Sequence, residues 1–461
     1  MKLANNNPVS QPRGENASVL VLVLWICLGL VSIALYFASS MTYELRAADN
    51  RVNGVAAEQA IEGAARYVGY VLQNYATNGA VPDPSQFKTT AVEVGDAKFW
   101  IIGRDPDPDD ANSTDPYFAL IDENSKINLN TADTNELAYL PNMTPDFAFA
   151  IVDWRTTNGI LSMDYASPGY SEKGAGFESV DELRLVYGAT VDLLAGEDIN
   201  RNGVLDKSEK DLNGNGELDP GLFEYTTVWT REPNFHSDGT EMTNVNTATQ
   251  SQITSLLRDD GASSPDQRAT QIYSYLHPRT GAAKSFNGLF DFAAYCRTIG
   301  MSADDFALIV NDVTTTNASS KAYIRGRINV NTANATVLTA LFEDLDNGDE
   351  STAESAVQTL VSYRQQNPQN LGSVAWVYDA LGTGNSVLTA LRAGDYITTH
   401  SFQFTADIAA VGAYGRGYRR TKFIFDVSDG TPKILYRQDL SRLGWALGDK
   451  VRTDLLAQNS Q

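Results

Sequence analysis

Asp198, Asn200, Asn202, Asp206 and Glu209 stand at positions 1, 3, 5, 9 and 12 of an EF-hand loop, within GEDINRNGVLDKSEKDLNGNGELDPG at 196–221. Gly203 fills the turn position, Val204 would offer its backbone carbonyl, and Leu205 is the apolar anchor. Hard oxygen donors at this spacing suit Ca²⁺. A second loop opens thirteen residues later, where Asp211, Asn213, Asn215, Gly216, Glu217 and Asp219 match. There, Pro220 and Leu222 stand where a flexible bend and a bidentate Glu belong, and Glu224 could substitute. Asn, Asp and Gly favour turns without any ion, but the order of acceptors around Gly203 favours calcium. One bound ion is expected, with a second as an option. Apolar flanks (Val191, Leu193 and Leu194; Leu222 and Phe223) point to a structural clamp, not a sensor.

Other chemistry is sparse. His236, His277 and His400 stand alone in sequence, so neither a zinc spacing nor a triad can be built from neighbours. No nucleophile, base and oxyanion arrangement is visible, and enzymatic activity is not expected. Of the two cysteines, Cys27 and Cys296, the first lies in an apolar run, and an intramolecular disulfide is not expected. Asp105-Pro-Asp-Pro-Asp-Asp110 reads as a solvated turn. Phe147 with Phe149, and Tyr273 with Tyr275, read as core or interface.

The 461 residues are too many for one ordinary domain. A net charge of -22, from 35 basic and 57 acidic residues, argues against nucleic acid as a partner. Val19 to Ala38, VLVLVLWICLGLVSIALYFA, is long enough to span a bilayer as a helix. Lys2 and Arg13 ahead of it favour an inside N-terminus. Ala38-Ser39-Ser40 offers ordinary signal cleavage as the alternative. Apolar spacing continues through Val52, Val55, Ala56, Ala64, Ala65, Val68, Val71, Leu72 and Tyr75, giving one helix of about 60 residues that becomes amphipathic.

The elements that must position the loop follow. AVEVG, KFWIIG and YFALID read as short strands, as do SFQFTADIAAVGAYG, YRRTKFIFDV and PKILYRQDL near the end. Between them the text is mainly helical. A phrase recurs in it three times: INLNTADTNELAYL from 127, TNVNTATQSQITSLL from 243 and INVNTANATVLTALF from 328. In each, the Thr (Thr131, Thr247, Thr332) is placed to cap a following helix. TPDFAFAIVDWRTTNG, with Arg155, and FESVDELRLVYG add two further helices to the first repeat. The order resembles helix-hairpin-helix modules, but where a DNA-binding hairpin needs glycine and bases the turn Leu140–Pro145 has neither, and Arg258–Gly261 and Glu343–Asp349 carry aspartates that would repel phosphate. The repeats therefore read as scaffold.

The long helix preceded by Arg13-Gly14 resembles the first helix of type IV pilins and pseudopilins. That resemblance implies cutting by a prepilin peptidase after Gly14, leaving Glu15 as the new N-terminus. Most such chains carry Glu five residues into the mature helix. Val19 stands there instead, and in this the chain is similar to the K-type minor pseudopilins of type II secretion, the general secretion pathway protein K family. That family's inserted domain carries the same Asn-x-Asn-Thr-Ala units. The implied fold is α+β: a pilin-like fold whose long membrane-spanning helix packs on a small antiparallel sheet. A large α-helical domain with helix-hairpin-helix or SAM-like repeats interrupts it. The implied organisation is a leader at 1–14, the helix at 15–78 with its membrane part at 18–38, and an α/β domain of 79–127 and 396–446. The insert would be 128–395, and 447–461 a disordered tail. Two departures from the family are Glu15-Asn16 after the leader and three phrases in place of two.

By this resemblance the chain would cap a pseudopilus tip with the I- and J-type minor pseudopilins and prime its assembly for export of folded proteins. It would be a single-pass bacterial inner-membrane protein with a cytoplasmic N-terminus and a periplasmic head. The main rival is a signal-anchored, calcium-stiffened surface adhesion or dockerin-like protein; a DNA-uptake receptor is third.

Overall fold

Residues 15–75 contain no proline, and their alanines become dense after Ala47, so nothing interrupts helical hydrogen bonding. In the computed structural model, which describes residues 15–108, 113–156, 165, 169–318 and 321–458, they form one helix, α1 (Glu15–Tyr75). Asn78 and Gly79 follow it with positive φ and turn the chain away. Residues 1–14, where a leader ending at Gly14 is expected, Asp109 and Asp110 of the acidic turn, and the last three residues lie outside the described residues.

The two halves of α1 have different fates. From Val19 to Ser39 every side chain is exposed, and the helix is long and apolar enough to cross a membrane. Lower down, Ala57, Ala60, Ile61, Ala64, Ala65, Val68, Val71 and Leu72 are buried along one stripe. Val52 and Val55, expected in that stripe, are exposed instead, because at that level Asn53 and Gly54 are the residues that face the head. The small alanines let the helix sit close to the sheet.

The sheet comprises β1 (Val92–Val94), β2 (Ala97–Ile102), β3 (Ile121–Asp122), β4 (Gln403–Val411), β5 (Arg419–Asp426) and β6 (Lys433–Asp439). All pairings are antiparallel, in the order β1-β2-β4-β5-β6, with β3 on β4 beyond the end of β2. Alternation sorts the side chains between two faces. Phe99, Ile101, Phe404, Ala406, Ile408, Ala410, Phe423 and Phe425 meet α1. Trp100, Ile102, Ala409 and Val411 face the other way. The turn joining β4 to β5 rests against α1: a Cβ on Gly417 would lie 2.3 Å from Asn53 backbone, so only glycine fits.

Residues between β3 and β4 form three helical units, each opened by its Asn-x-Asn phrase. A two-residue parallel bridge closes each one. Ile127–Asn128 pairs with Thr226–Thr227, Thr243–Asn244 with Val313–Thr314, and Ile328–Asn329 with Ile397–Thr398. The middle residues Leu129, Val245 and Val330 are fully buried. The first asparagine of each pair folds an Asx turn, accepting from the second's N–H at 2.8 Å (Asn128), 3.0 Å (Asn244) and 3.0 Å (Asn329). The second clamps a distant loop. Asn130 exchanges both amide bonds with the Phe177 backbone, and Asn246 does so with Phe286. Asn331 donates to the Leu371 carbonyl and accepts from the Trp376 indole.

The capping expectation is corrected. Thr131 and Thr247 turn their hydroxyls back to the carbonyls of Asn128 and Asn244, and Thr332 donates to Asp122. The caps fall two residues later, on Asp133, Thr249 and Asn334, each accepting N–H bonds of the helix it opens. The phrase ends in a turn that delays the helix start. FESVDELRLVYG forms a 3₁₀ helix (Val180–Leu185), not an α-helix. The tail expected to be disordered is helical from Gly448 to Gln458, because Ala446, Leu447 and Leu455 find the outer sheet face.

Glu136 sits near Asp133 and Asp344, where the first unit packs on the third. Burial first, then the charges of Asp344 and Asp133, push its carboxyl up to about 8 from an ordinary 4.5, against the pull of Arg155. The folded chain therefore holds a proton that the unfolded chain has released. That stabilisation is complete below the unfolded value and is lost as pH rises through the folded one. Glu136→Gln should melt with the wild type near pH 4 and progressively above it towards pH 9. Melting curves that stay parallel across this range would exclude the buried acid.

Candidate calcium loops

The segment 196–221 leaves a helical turn (Val191–Ala195) and returns to another (Leu222–Tyr225). Its neck is pinched by a bridge between Gly196 and Pro220. A Cβ on Gly196 would lie 2.3 Å from the Asp219 carbonyl, and one on Gly221 2.5 Å from Gly196 nitrogen. Within the neck the chain makes two loops with similar internal bonds.

In the first loop Asp198 accepts the N–H groups of Asn202 (2.8 Å) and Gly203 (2.9 Å). Glu209 closes the ring, accepting from Asn200 and Asp206 backbone at 3.0 Å each. Asn200 and Asn202 both donate their side-chain amides to Asp206. The second loop repeats this: Asp211 accepts from Gly214 and Gly216, and the amides of Asn213 and Asn215 donate to Asp219. Glu217 donates its N–H to Asn215.

The loops differ in their surroundings. Asp198, Asn200 and Asn202 are buried, whereas Asn213, Asn215 and Glu217 are exposed. Two arginines, one in the sheet and one just past the end of β2, hold the first loop from behind. Arg420, fully buried on β5, donates to the carbonyls of Asn200 and Arg201 and forms a bidentate pair with Asp407 on β4. Arg104 donates to the Arg201 carbonyl at 3.2 Å and lies 3.8 Å from Asp198. Nothing in the local text marks either arginine, which only the strand register brings to the loop.

Glu224, the expected substitute ligand of the second loop, is held by Arg104 with both oxygens at 2.8 Å. Glu197 takes the corresponding place, accepting N–H groups from Leu212 and Asp219 as Glu209 does in the first loop. Another correction concerns the acidic turn: Asp107 forms a bidentate pair with buried Arg364 of the third unit. Arg364 in turn donates to the Val330 and Ala333 carbonyls at 2.9 and 2.8 Å, and Arg155 does the same for Leu129 and Ala132.

Among the described residues, no three His, Cys, Asp or Glu side chains converge closely enough to hold a metal by themselves. Amide and carbonyl oxygens would have to complete any shell, as EF-hand loops allow. One observation fits that need. Asn200 Oδ1, at the third ligand position, is buried without a hydrogen-bond partner. Burial also pushes the carboxyls of Asp198, Asp206 and Glu209 up. The donor set of the first loop therefore suits a hard cation.

With this geometry in place, comparison with known proteins adds the following. Residues 122–163 match the family model of the helix-hairpin-helix motif. No curated protein matches the chain. Among solved structures, the chain is similar to the crystal structure of the GspK-GspI-GspJ complex from the type 2 secretion system of enterotoxigenic Escherichia coli. The identity is 10% and the TM-score 0.39, over 83% of this chain and 95% of that one. The matched hairpin joins helix Thr134–Ala138 to helix Pro145–Arg155. Asn142 adopts positive φ at its turn, which carries no Lys or Arg and is flanked by Asp133, Glu136 and Asp146.

Proposed function

We propose that the chain is a K-type minor pseudopilin of a type II protein secretion system. In this reading it caps the pseudopilus tip and primes filament assembly with I- and J-type partners for export of folded proteins. The observation that carries the reading is α1, one uninterrupted helix serving two solvents. Its first half is apolar on all sides and exposed, as suits a bilayer or neighbouring subunit helices, and its second half packs across an antiparallel sheet. A cleavable signal would have no need to continue as the core helix of the head.

In this role the helix spans the inner membrane, prepilin peptidase cuts behind Gly14 on the cytoplasmic side, and the head stands in the periplasm. The first loop would hold calcium through Asp198, Asn200, Asn202, Val204, Asp206 and Glu209. The second would use Asp211, Asn213, Asn215, Glu217 and Asp219, with lower affinity. The ion stiffens the head, and no catalytic step is assigned to it. A hairpin turn without Lys or Arg and flanked by Asp133, Glu136 and Asp146 supports a packing role for the repeats and not a phosphate-binding one.

The tip position follows from bulk. An internal subunit must let others stack above its head, and three helical units stand on this one. Val19 agrees, since a first subunit has no neighbour ahead whose amine an acid must pair. Gold-labelled protein should therefore appear at one end of isolated filaments. Label repeating along their length would refute the tip assignment.

A further inference from the structure

α1 covers one face of the sheet. The other face, Trp100, Ile102, Ala409 and Val411, is covered by the chain's own last segment through Ala446, Leu447 and Leu455. Trp445 and Ala446 lie outside any helix or strand, so their carbonyls need donors from elsewhere. The first calcium loop supplies them. Asn200 Nδ2 donates to the Trp445 carbonyl at 3.3 Å, and Asn202 Nδ2 to the Ala446 carbonyl at 3.4 Å. Lys207 of the same loop pairs with Asp449 at 2.6 Å.

Each amide nitrogen carries two N–H groups and has two acceptors. Each also donates to Asp206, and the bonds to the last segment are the longer ones. A cation in the loop draws on the Asp206 carboxylate and on the buried, unpartnered oxygen of Asn200. Holding that oxygen fixes the plane of the Asn200 amide, and with it the N–H that reaches the Trp445 carbonyl. One Asn200 side chain would thus face the ion with its oxygen and the last segment with its nitrogen.

We infer that ion binding in the first loop fastens residues 444–458 across the outer face of the sheet, and that ion withdrawal loosens them and bares that face. This inference rests on the calcium reading of the loop. Leu447→Ala combined with Leu455→Ala separates the two. Neither residue belongs to the loop, so binding survives, but the segment loses its two apolar anchors on the outer sheet face.

The test is hydrogen-exchange mass spectrometry of the detergent-solubilised full chain, with calcium and with chelator, beside calorimetric titration with calcium. At ten times the dissociation constant, calcium should slow exchange of wild-type residues 446–458 about tenfold, as binding linkage requires. The L447A/L455A chain should still take up calcium in the titration, yet show no calcium-dependent slowing in that segment. Equal slowing in the variant would overturn the inference while leaving the calcium site intact. So would calcium binding to the wild type without slowing. Absence of binding to the wild type would overturn both.

Discussion

Arg420→Ala should destabilise the folded chain by about 3–5 kcal/mol, the usual cost of removing one partner of a buried ion pair. Arg420 is fully buried, and its guanidinium serves three groups at once. It pairs with Asp407 across β4 and β5, and it donates to the Asn200 and Arg201 carbonyls of the first loop. Without it, Asp407 is left as a buried carboxylate beside two carbonyls that have lost a donor. Arg420→Lys should recover little, because one ammonium cannot span the carboxylate and both carbonyls. Arg420→Met with Asp407→Leu should regain part of the loss, since no uncompensated charge remains. Denaturant titration of the solubilised chain provides the measurement. If R420A unfolded at the wild-type midpoint, the arginine would not be the link between loop and sheet.

Calcium should raise the melting temperature by several degrees. Extracytoplasmic loops of this kind bind at about 10⁻⁴–10⁻³ M. At ten times its dissociation constant, one ion adds roughly 1.4 kcal/mol, and two sites roughly twice that. Asp198→Ala or Glu209→Ala should abolish most of the gain. Asp219→Ala should cost less, because the second loop is exposed and lacks a ligand of its own at the twelfth position. Identical melting curves with calcium and with chelator would mean that the segment is only a turn.

Periodicity and chemistry made much of this molecule legible. The unbroken run from Glu15 to Tyr75 could be read because no proline interrupts it and its apolar spacing fits a helix. That 196–221 would fold as tight turns could be read from its Asn, Asp and Gly residues. What stayed hidden depends on distance in sequence. Asp107 gives no local sign that it pairs with Arg364, nor does the Arg420 guanidinium that it lies behind Asn200. The asparagine phrases were visible as repeats, but their purpose was not, since Asn130 and Asn246 act on loops 47 and 40 residues away. Thr131 was mistaken for a cap because a Thr before a helix resembles one; the turn made by Asn128 shifts the true cap to Asp133. The closing helix was missed because a polar segment gives no sign of the apolar sheet face that waits for its few leucines.

The parallel bridges that close the helical units have a further consequence. In each unit the chain comes in and goes out on adjacent strands, about 4.8 Å apart. The whole insert does the same on the sheet, entering at Asp122 and leaving beside it at Phe404. A segment whose ends already touch can be lengthened, shortened or replaced at little entropic expense, because the remaining chain has no gap to close. The molecule is thus a set of detours nested inside a detour. The head can change size and outline unit by unit while α1 and the sheet keep their register.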